Sequence, residues 1–273
     1  VLASATAFAC SLVDLNGYSS GAPADTTSDA SSTTPPAPNT EGGSSGGADG
    51  GADATSSDLY VAEVSADQPV AWYRFEDPAD ANTAKDEVGV HTATLTSGTV
   101  GFGSEGARGR GLHCDGSGTL ELGDVFDFDR KAEFTLEVWV KPQKVNGDQR
   151  LISKRKEGGE LLGYIVYLAS DTTVHFEDWG VDLNAWSTAA IATTEYTHIA
   201  IVVSYATGFG NAKLYLNGKP QPQGGWDNKL DAPNTDATLR FFDGFRGFAD
   251  ELALYAKPLS PERVLAHYRA MTQ

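Results

Sequence analysis

Two adjacent carboxylates, Asp250 and Glu251, interrupt an otherwise apolar, strand-like run in the stretch GFADELALYAKPLS (247–260). Carboxylates in such a run can act as acid and base in catalysis, bind a cation, or form a buried structural contact. Because successive side chains of a strand point to opposite faces, we expect one of the two to face solvent or the rim of the sheet. The other then needs a cation, an arginine such as Arg74 or Arg246, or backbone N–H groups as its partner.

The five tryptophans divide into two groups by their context. Trp72 and Trp139 lie within strand-like runs, so we expect them in the core. Trp179, Trp186 and Trp226 lie in loop-like contexts. Because sugar binding usually needs an exposed aromatic platform with polar groups beside it, these three are candidate ligand-binding residues. The alternative is that their loops fold down onto the domain.

The acidic charge balance argues against one class of partner. The chain carries 37 Asp and Glu against 20 Lys and Arg, a formal net charge of -17, and no Lys or Arg precedes Arg74. Phosphate binding requires a basic patch, so nucleic acid is not an expected partner. The same excess of acidic residues favours the binding of cations, or it serves only to keep the protein soluble.

The N-terminal residues predict a signal remnant and a linker. Residues 11–58 are dominated by Gly, Ala, Ser, Thr, Pro and Asp, a composition that cannot bury enough apolar surface to offset chain entropy. We therefore predict a disordered linker there. The apolar run VLASATAFA before it ends at Cys10, so residues 1–10 resemble the end of a bacterial lipoprotein signal. Lipidation of Cys10 is predicted, with an ordinary secretory signal as the alternative.

Residues 1–10 are predicted to be a lipoprotein signal or, alternatively, a secretory signal. Either one places the protein in the cell envelope or outside the cell. The sequence contains no apolar span of 18 residues, the length that a transmembrane helix requires. Any attachment to a membrane is therefore expected through a lipid anchor only.

The remainder of the chain predicts an antiparallel β-sandwich. From Pro69 onward, short β-rich runs alternate with clusters of Gly, Asp, Asn and Pro. The run FTLEVWVKP (134–142) alternates an apolar face with a face that carries Glu137 and Trp139. The dipeptide Asn217-Gly218 predicts a tight two-residue hairpin, because both residue types accept a positive φ.

One helix is predicted at the C-terminal end. Ser260 can cap it and Pro261 suits its first turn. The apolar residues that follow have helical spacing: Val264, Leu265, Tyr268 and Met271. The folded domain is therefore predicted to span residues 59–273.

Several fragments resemble a known family when they are taken in order: AWYRFED, KDEVG, GLHCDGSGTLELGD, EFTLEVWVKP, ISKRKE, YTHIAIVVS, AKLYLNGKP and FRGFADELALYAKPLSPERVLAHY. Together they resemble a laminin G-like, concanavalin A-like jelly-roll domain of the type found in bacterial envelope lipoproteins. The resemblance covers about residues 66–272 and implies an all-β fold. It does not fix the function, because the superfamily includes lectins, adhesion modules and glucanases.

The resemblance also implies a calcium site. Many laminin G-like domains bind Ca²⁺ at the rim of the sandwich, and the Asp-Glu pair of the family matches Asp250 and Glu251. Glu76, Asp77 and Asp86 are candidates to complete the shell, because hard oxygen ligands suit Ca²⁺. The alternative for Asp250 is a salt bridge.

Catalysis is not expected. Glucanases of this fold carry their carboxylates in an E-x-D-x-x-E pattern on one strand, and this sequence lacks that pattern. The nearest candidates, Glu133 and Glu137, have Thr135 in the middle position. We therefore expect a non-catalytic module at the cell surface that binds carbohydrate or a surface glycoprotein. The alternatives are a structural subunit that self-associates and, less favoured, a glycoside hydrolase.

Overall fold

The computed structural model describes residues 56–128, 132–156, 158, 162–179, 183–205, 210–222 and 235–273. The predicted signal remnant with Cys10, the linker as far as residue 55, and Trp226 lie outside the described residues.

The described part of the chain is mostly β-strand, with one helix at each end. The helices are α1 (Ser56–Ala66) and α2 (Pro261–Thr272). The strands are β1 (Ala71–Tyr73), β2 (Thr83–Ala84), β3 (Ala93–Ser97), β4 (Val100–Glu105), β5 (Arg110–Asp115), β6 (Thr119–Glu121), β7 (Phe134–Pro142), β8 (Gln149–Ser153), β9 (Tyr164–Leu168), β10 (Val174–Asp178), β11 (Leu183–Trp186), β12 (Thr197–Ser204), β13 (Asn211–Leu216), β14 (Lys219–Pro220), β15 (Arg240–Phe241) and β16 (Arg246–Tyr255).

Two antiparallel sheets form the predicted sandwich. Sheet A has the order β14-β13-β12-β7-β16-β5-β4, and β1 also pairs with β16. Sheet B has the order β11-β10-β9-β8-β15-β6-β3-β2. The predicted all-β jelly-roll fold is therefore confirmed.

A single apolar core lies between the sheets. It includes the predicted apolar face of β7, with Phe134, Leu136, Val138 and Val140 all 2% exposed or less. Full burial of each such side chain stabilises the fold by about 1.5 to 3 kcal/mol. Cys114, a free thiol, is also buried in this core.

The two helices cover the other face of sheet A. Tyr60 and Val64 of α1 and Val264 of α2 belong to a second buried cluster with Trp72 and Trp139. The tryptophans are thus buried as predicted, but between sheet and helices and not between the two sheets.

The predicted C-terminal helix is confirmed as α2, whereas helix α1 was not predicted. Ser260 accepts a hydrogen bond from the backbone N–H of Arg263 (3.3 Å), and Pro261 is the first residue of α2. Helix α1 overlaps the last three residues of the predicted linker. Of the side chains described for this helix, only Tyr60 and Val64 are fully buried, which leaves too short an apolar stripe to mark a helix.

The predicted hairpin is also confirmed. Asn217 and Gly218 have φ values of 51° and 70° and connect β13 to β14. Among the described residues, neither helix combines the length and the apolar character that crossing a bilayer requires.

Candidate functional site

The adjacent carboxylates Asp250 and Glu251 lie where the pairing of β16 with β7 shifts register. Asp250 pairs with Trp139 and Ala253 with Glu137, so β16 carries an extra residue at this point, and Glu251 within it has a φ of 46°. Both side chains are fully buried. The expectation that they point to opposite faces, with one at solvent or the rim, is therefore wrong, because the bulge brings both to the side of sheet A that the helices cover.

Each of these carboxylates is satisfied by protein groups. Asp250 accepts hydrogen bonds from the backbone N–H groups of Arg108 (3.1 Å) and Glu251 (2.9 Å). Glu251 accepts from the indole N–H of Trp72 (2.7 Å) and pairs with Arg74 (3.0 Å). A salt bridge was the alternative to calcium for Asp250. The structure has a salt bridge with Arg74, but its carboxylate is Glu251 and not Asp250.

Burial and the charge of Glu251 raise the pKa of Asp250 well above its ordinary value. Burial also raises the pKa of Glu251 to about 7, although Arg74 opposes this. The pair therefore retains a proton at pH values where exposed carboxyls are ionised.

The other predicted calcium ligands are engaged separately. Glu76 accepts from the backbone N–H of Arg110 (3.2 Å), and Asp77 accepts from that of Lys85 (3.1 Å). Asp86 accepts from the backbone N–H groups of four residues, namely Trp72, Val88, Val90 and His91. In the part of the chain that the structure describes, no three His, Cys, Asp or Glu residues are grouped so that they could hold a metal ion. Calcium binding stays a prediction.

A second polar cluster lies beneath the helices. Glu137 accepts hydrogen bonds from His198 Nε2 (2.7 Å) and the Tyr255 hydroxyl (3.0 Å), and His267 Nδ1 lies 3.0 Å from it. The other ring nitrogen of His267 lies 3.0 Å from Asp67. Because both ring nitrogens of His267 face carboxylates, the ring is an imidazolium. It connects α2 with Glu137 of β7 and with Asp67, the residue that follows α1.

The cluster shifts the pKa of its members. Burial acts to raise the pKa of Glu137, but His267 and His198 outweigh it and hold that pKa well below the ordinary value. Burial acts to lower the pKa of His267, but Glu137 and Asp67 outweigh it and raise that pKa. Glu137 is 1% exposed, and Glu133 is engaged with the backbone N–H of Tyr205. Glu137, one of the two glutamates that could have suggested a glycosidase, is therefore closed to a substrate.

We expect the domain to be most stable at mildly acidic pH. Because Asp250 and Glu251 keep protons that the unfolded chain releases, stability falls as the pH rises from about 4 towards 7. The contribution of His267 is present below about pH 6.5 and is lost as the pH rises through its raised folded-state pKa. The contribution of Glu137 is lost as the pH falls below about 4.3.

The measurement is urea unfolding at pH 5, 6.5 and 8. We expect the free energy of unfolding to decrease in that order. If the free energy of unfolding increases from pH 5 to pH 8, then Asp250, Glu251, His267 and Glu137 do not control its pH dependence.

The outer face of sheet B carries a row of aromatic side chains. Residues of β9, β10 and β11 that point into the core alternate with residues that point outward. His175 on β10 is paired in register with Tyr167 on β9 and with Trp186 on β11. Directly opposed side chains on neighbouring strands lie about 4.5 to 5.5 Å apart, and the rings of Tyr167 and His175 are stacked at 5.0 Å.

A carboxylate lies beside this row. Glu177 accepts hydrogen bonds from the hydroxyl of Tyr167 (2.7 Å) and from the indole N–H of Trp179 (2.7 Å). Trp179, the residue after β10, is 48% exposed. Asn184 is paired in register with Glu177, and its side-chain oxygen is buried without a hydrogen-bond partner among the described residues.

We call Tyr167, His175, Glu177, Trp179, Asn184 and Trp186 the aromatic face. Burial and the contact with Glu177 raise the pKa of Tyr167, so its hydroxyl remains a donor. The face combines partly exposed rings with the carboxylate of Glu177. Such an arrangement suits a ligand that has both an apolar surface and hydrogen-bond donors.

Two of the three predicted tryptophans belong to this face. Trp179 and Trp186 do not lie in free loops, because Trp186 ends β11 and Trp179 directly follows β10. Sequence reasoning missed the other four members of the face. The alternation in TVHFEDW (173–179) would have placed His175, Glu177 and Trp179 together.

Comparisons with solved structures support the fold. The binding domain of botulinum neurotoxin DC in complex with SialylT is 14% identical, with a TM-score of 0.56, over 75% of this chain and 51% of that chain. The same binding domain in complex with rat synaptotagmin II is 13% identical, with a TM-score of 0.58, over 75% and 52%. A structure for botulinum neurotoxin type C, whose cell entry is dependent upon interaction with two ganglioside molecules, is 13% identical, with a TM-score of 0.57, over 77% and 53%.

The chain spans about half the length of these solved structures, and at such identities the likeness shows the fold alone. The search of curated proteins gives no match. The family model Laminin_G_3, described as concanavalin A-like lectin/glucanases superfamily, matches residues 115–265, more than half of the chain. The chain therefore belongs to the Laminin_G_3 family of the concanavalin A-like lectin/glucanases superfamily.

Proposed function

We propose that the domain is a non-catalytic binding module at the cell surface and that its aromatic face binds carbohydrate. The observation that carries the proposal is the row of Trp186, His175 and Tyr167 across three strands, with Glu177 and Asn184 in the adjacent row. The strands fix the spacing of these groups, so little side-chain ordering remains to oppose binding.

The chemistry of the face suits a sugar ring. The C–H groups of a pyranose can pack against the negative faces of aromatic rings. Its hydroxyl groups can donate to the carboxylate of Glu177, which has lone pairs that the protein does not use.

The non-catalytic part of the proposal rests on Glu133 and Glu137. Both are engaged by protein groups, and Glu137 is covered by the helices. A retaining glycosidase needs two carboxyls about 5 to 5.5 Å apart across the bond that it cleaves. A buried, ion-paired Glu137 cannot reach such a bond.

A glycan array probed with the intact chain tests the binding function. We expect selective binding to a subset of glycans. Size-exclusion chromatography of the same sample supplies the contrast. Multimers that bind no glycan on the array would contradict the proposal and favour a self-associating structural subunit.

The proposed location rests on the sequence around Cys10. We expect Cys10 to be the acylated N-terminus of the mature protein, because the apolar run before it ends at that residue. Mass spectrometry of protein purified from the envelope checks this. Recovery of a peptide with an intact bond between Ala9 and Cys10 would exclude lipidation there.

A further inference from the structure

Three hydrogen-bond donors of the aromatic face, on Tyr167, Trp179 and His175, are taken up within the protein. Tyr167 and Trp179 both donate to Glu177. The hydroxyl of Thr173 donates to Asp171 (2.6 Å), so at its 3.0 Å contact with His175 Nε2 it must accept. The tautomer of neutral His175 is therefore fixed, with the proton on Nε2.

The same face has hydrogen-bond acceptors that the protein itself does not use. The Nδ1 atom of neutral His175 is an acceptor with no hydrogen bond to the described residues. A carboxylate offers about four lone-pair positions, and the protein occupies two of those on Glu177. The face therefore offers acceptors to a ligand that brings donors.

The charges around the face are of both signs, and the one in contact with the rings is negative. Glu177 and Asp148 act on the Tyr167 hydroxyl as negative charges, and Arg155 opposes them. The other nearby cation, Arg150, is paired in register with Tyr167 and forms an ion pair with Asp243 (2.7 Å). Glu177 is the carboxylate that contacts the rings themselves, so the charge in direct contact with Tyr167 and Trp179 is negative.

We infer that the aromatic face selects sugars that carry a protonated amine over neutral sugars and over sugars that carry a carboxylate. This inference rests on the proposed carbohydrate function. An ammonium group has three donors and no acceptor, which matches the acceptors that the face leaves open. It is also attracted to the face of a tryptophan ring, and Trp179 is 48% exposed beside Glu177. A carboxylate ligand brings acceptors only and meets a like charge.

Isothermal titration calorimetry of the intact chain at pH 7 tests the inference with three probes of equal length. The probes are an oligomer of glucosamine, the corresponding oligomer of N-acetylglucosamine, and an oligomer of glucuronic acid. We expect the glucosamine oligomer to bind at least about tenfold more tightly than the N-acetylated one, because it adds a cation–π contact and a charge-assisted hydrogen bond. The glucuronic acid oligomer is expected to bind most weakly.

The variant Glu177→Gln should reduce the preference for the amine to less than about threefold, because it removes the charge but keeps an acceptor oxygen. Glu121→Gln is the matched control. Glu121 lies on the same face of sheet B, four strands from β10 or about 19 Å away, and we expect it to retain the full preference. Raising the salt concentration from 50 to 500 mM should reduce the preference of the unmodified protein, which tests the charge without a variant.

The outcomes separate the inference from the function on which it rests. Equal affinity for the three sugars, or tighter binding of the glucuronic acid oligomer, would overturn the amine preference and leave a carbohydrate-binding face. A trilysine peptide that binds as tightly as the glucosamine oligomer would overturn the assignment to a sugar. Failure of all three probes together with a blank glycan array would overturn the proposed function itself.

Discussion

Replacing Glu137 with alanine is expected to lower the free energy of unfolding by about 3 to 5 kcal/mol, the usual cost of removing one partner of a buried ion pair. His267 would then remain a buried cation with only Asp67 as its partner, and His198 would lose the acceptor of its Nε2 proton. Because the cluster joins α2 to β7, we expect the contacts of the helices with sheet A to loosen with it.

Urea unfolding measured at pH 5 and 25 °C checks this prediction. The matched control is Glu121→Ala, which removes a glutamate that pairs with Arg240 at a partly exposed site (2.8 Å). Such a pair contributes about 0 to 1 kcal/mol. If the two variants lose the same small amount of stability, the Glu137 cluster does not hold the helices on the sheet.

Replacing Trp186 with alanine is expected to weaken glycan binding by about tenfold to a hundredfold. Trp186 is paired in register with His175 and ends the row of rings on β11. The substitution removes a large apolar surface on which a sugar ring can pack, whereas Trp186 is only partly buried, so the fold should remain intact.

Calorimetry with a glycan identified on the array measures the effect, and thermal melting confirms that the variant is folded. Tyr196→Ala is the control, because Tyr196 is a partly buried aromatic residue whose hydroxyl contacts Glu105 next to sheet A. We expect it to leave the affinity unchanged. A folded Trp186→Ala protein with unchanged affinity would exclude the aromatic face as the binding site.

Local patterns were sufficient to predict much of the fold. The alternation in β7 placed Phe134 and Leu136 in the core between the sheets, because a strand with one apolar face must bury that face. The turn at Asn217-Gly218 and the cap at Ser260 followed from backbone preferences of single residues. Each of these features depends on residues that are close together in the sequence.

Other features depend on which elements come to lie next to one another. Asp250 and Glu251 share one side of sheet A because β16 shifts its pairing with β7, and a bulge depends on the partner strand as well as on the sequence around it. Glu137 is buried because helices from opposite ends of the domain cover it, and the contact between Asp67 and His267 spans 200 residues.

The candidate site shows the same division. Strand and turn patterns were enough to predict a β-sandwich. The alternation in residues 173–179 also puts His175, Glu177 and Trp179 on one face of a strand, although this row was not predicted. That Tyr167 and Trp186 flank the row and that Asn184 lies opposite Glu177 followed from the fold, because alternation fixes the face on which a side chain lies, whereas the register between strands fixes its neighbours.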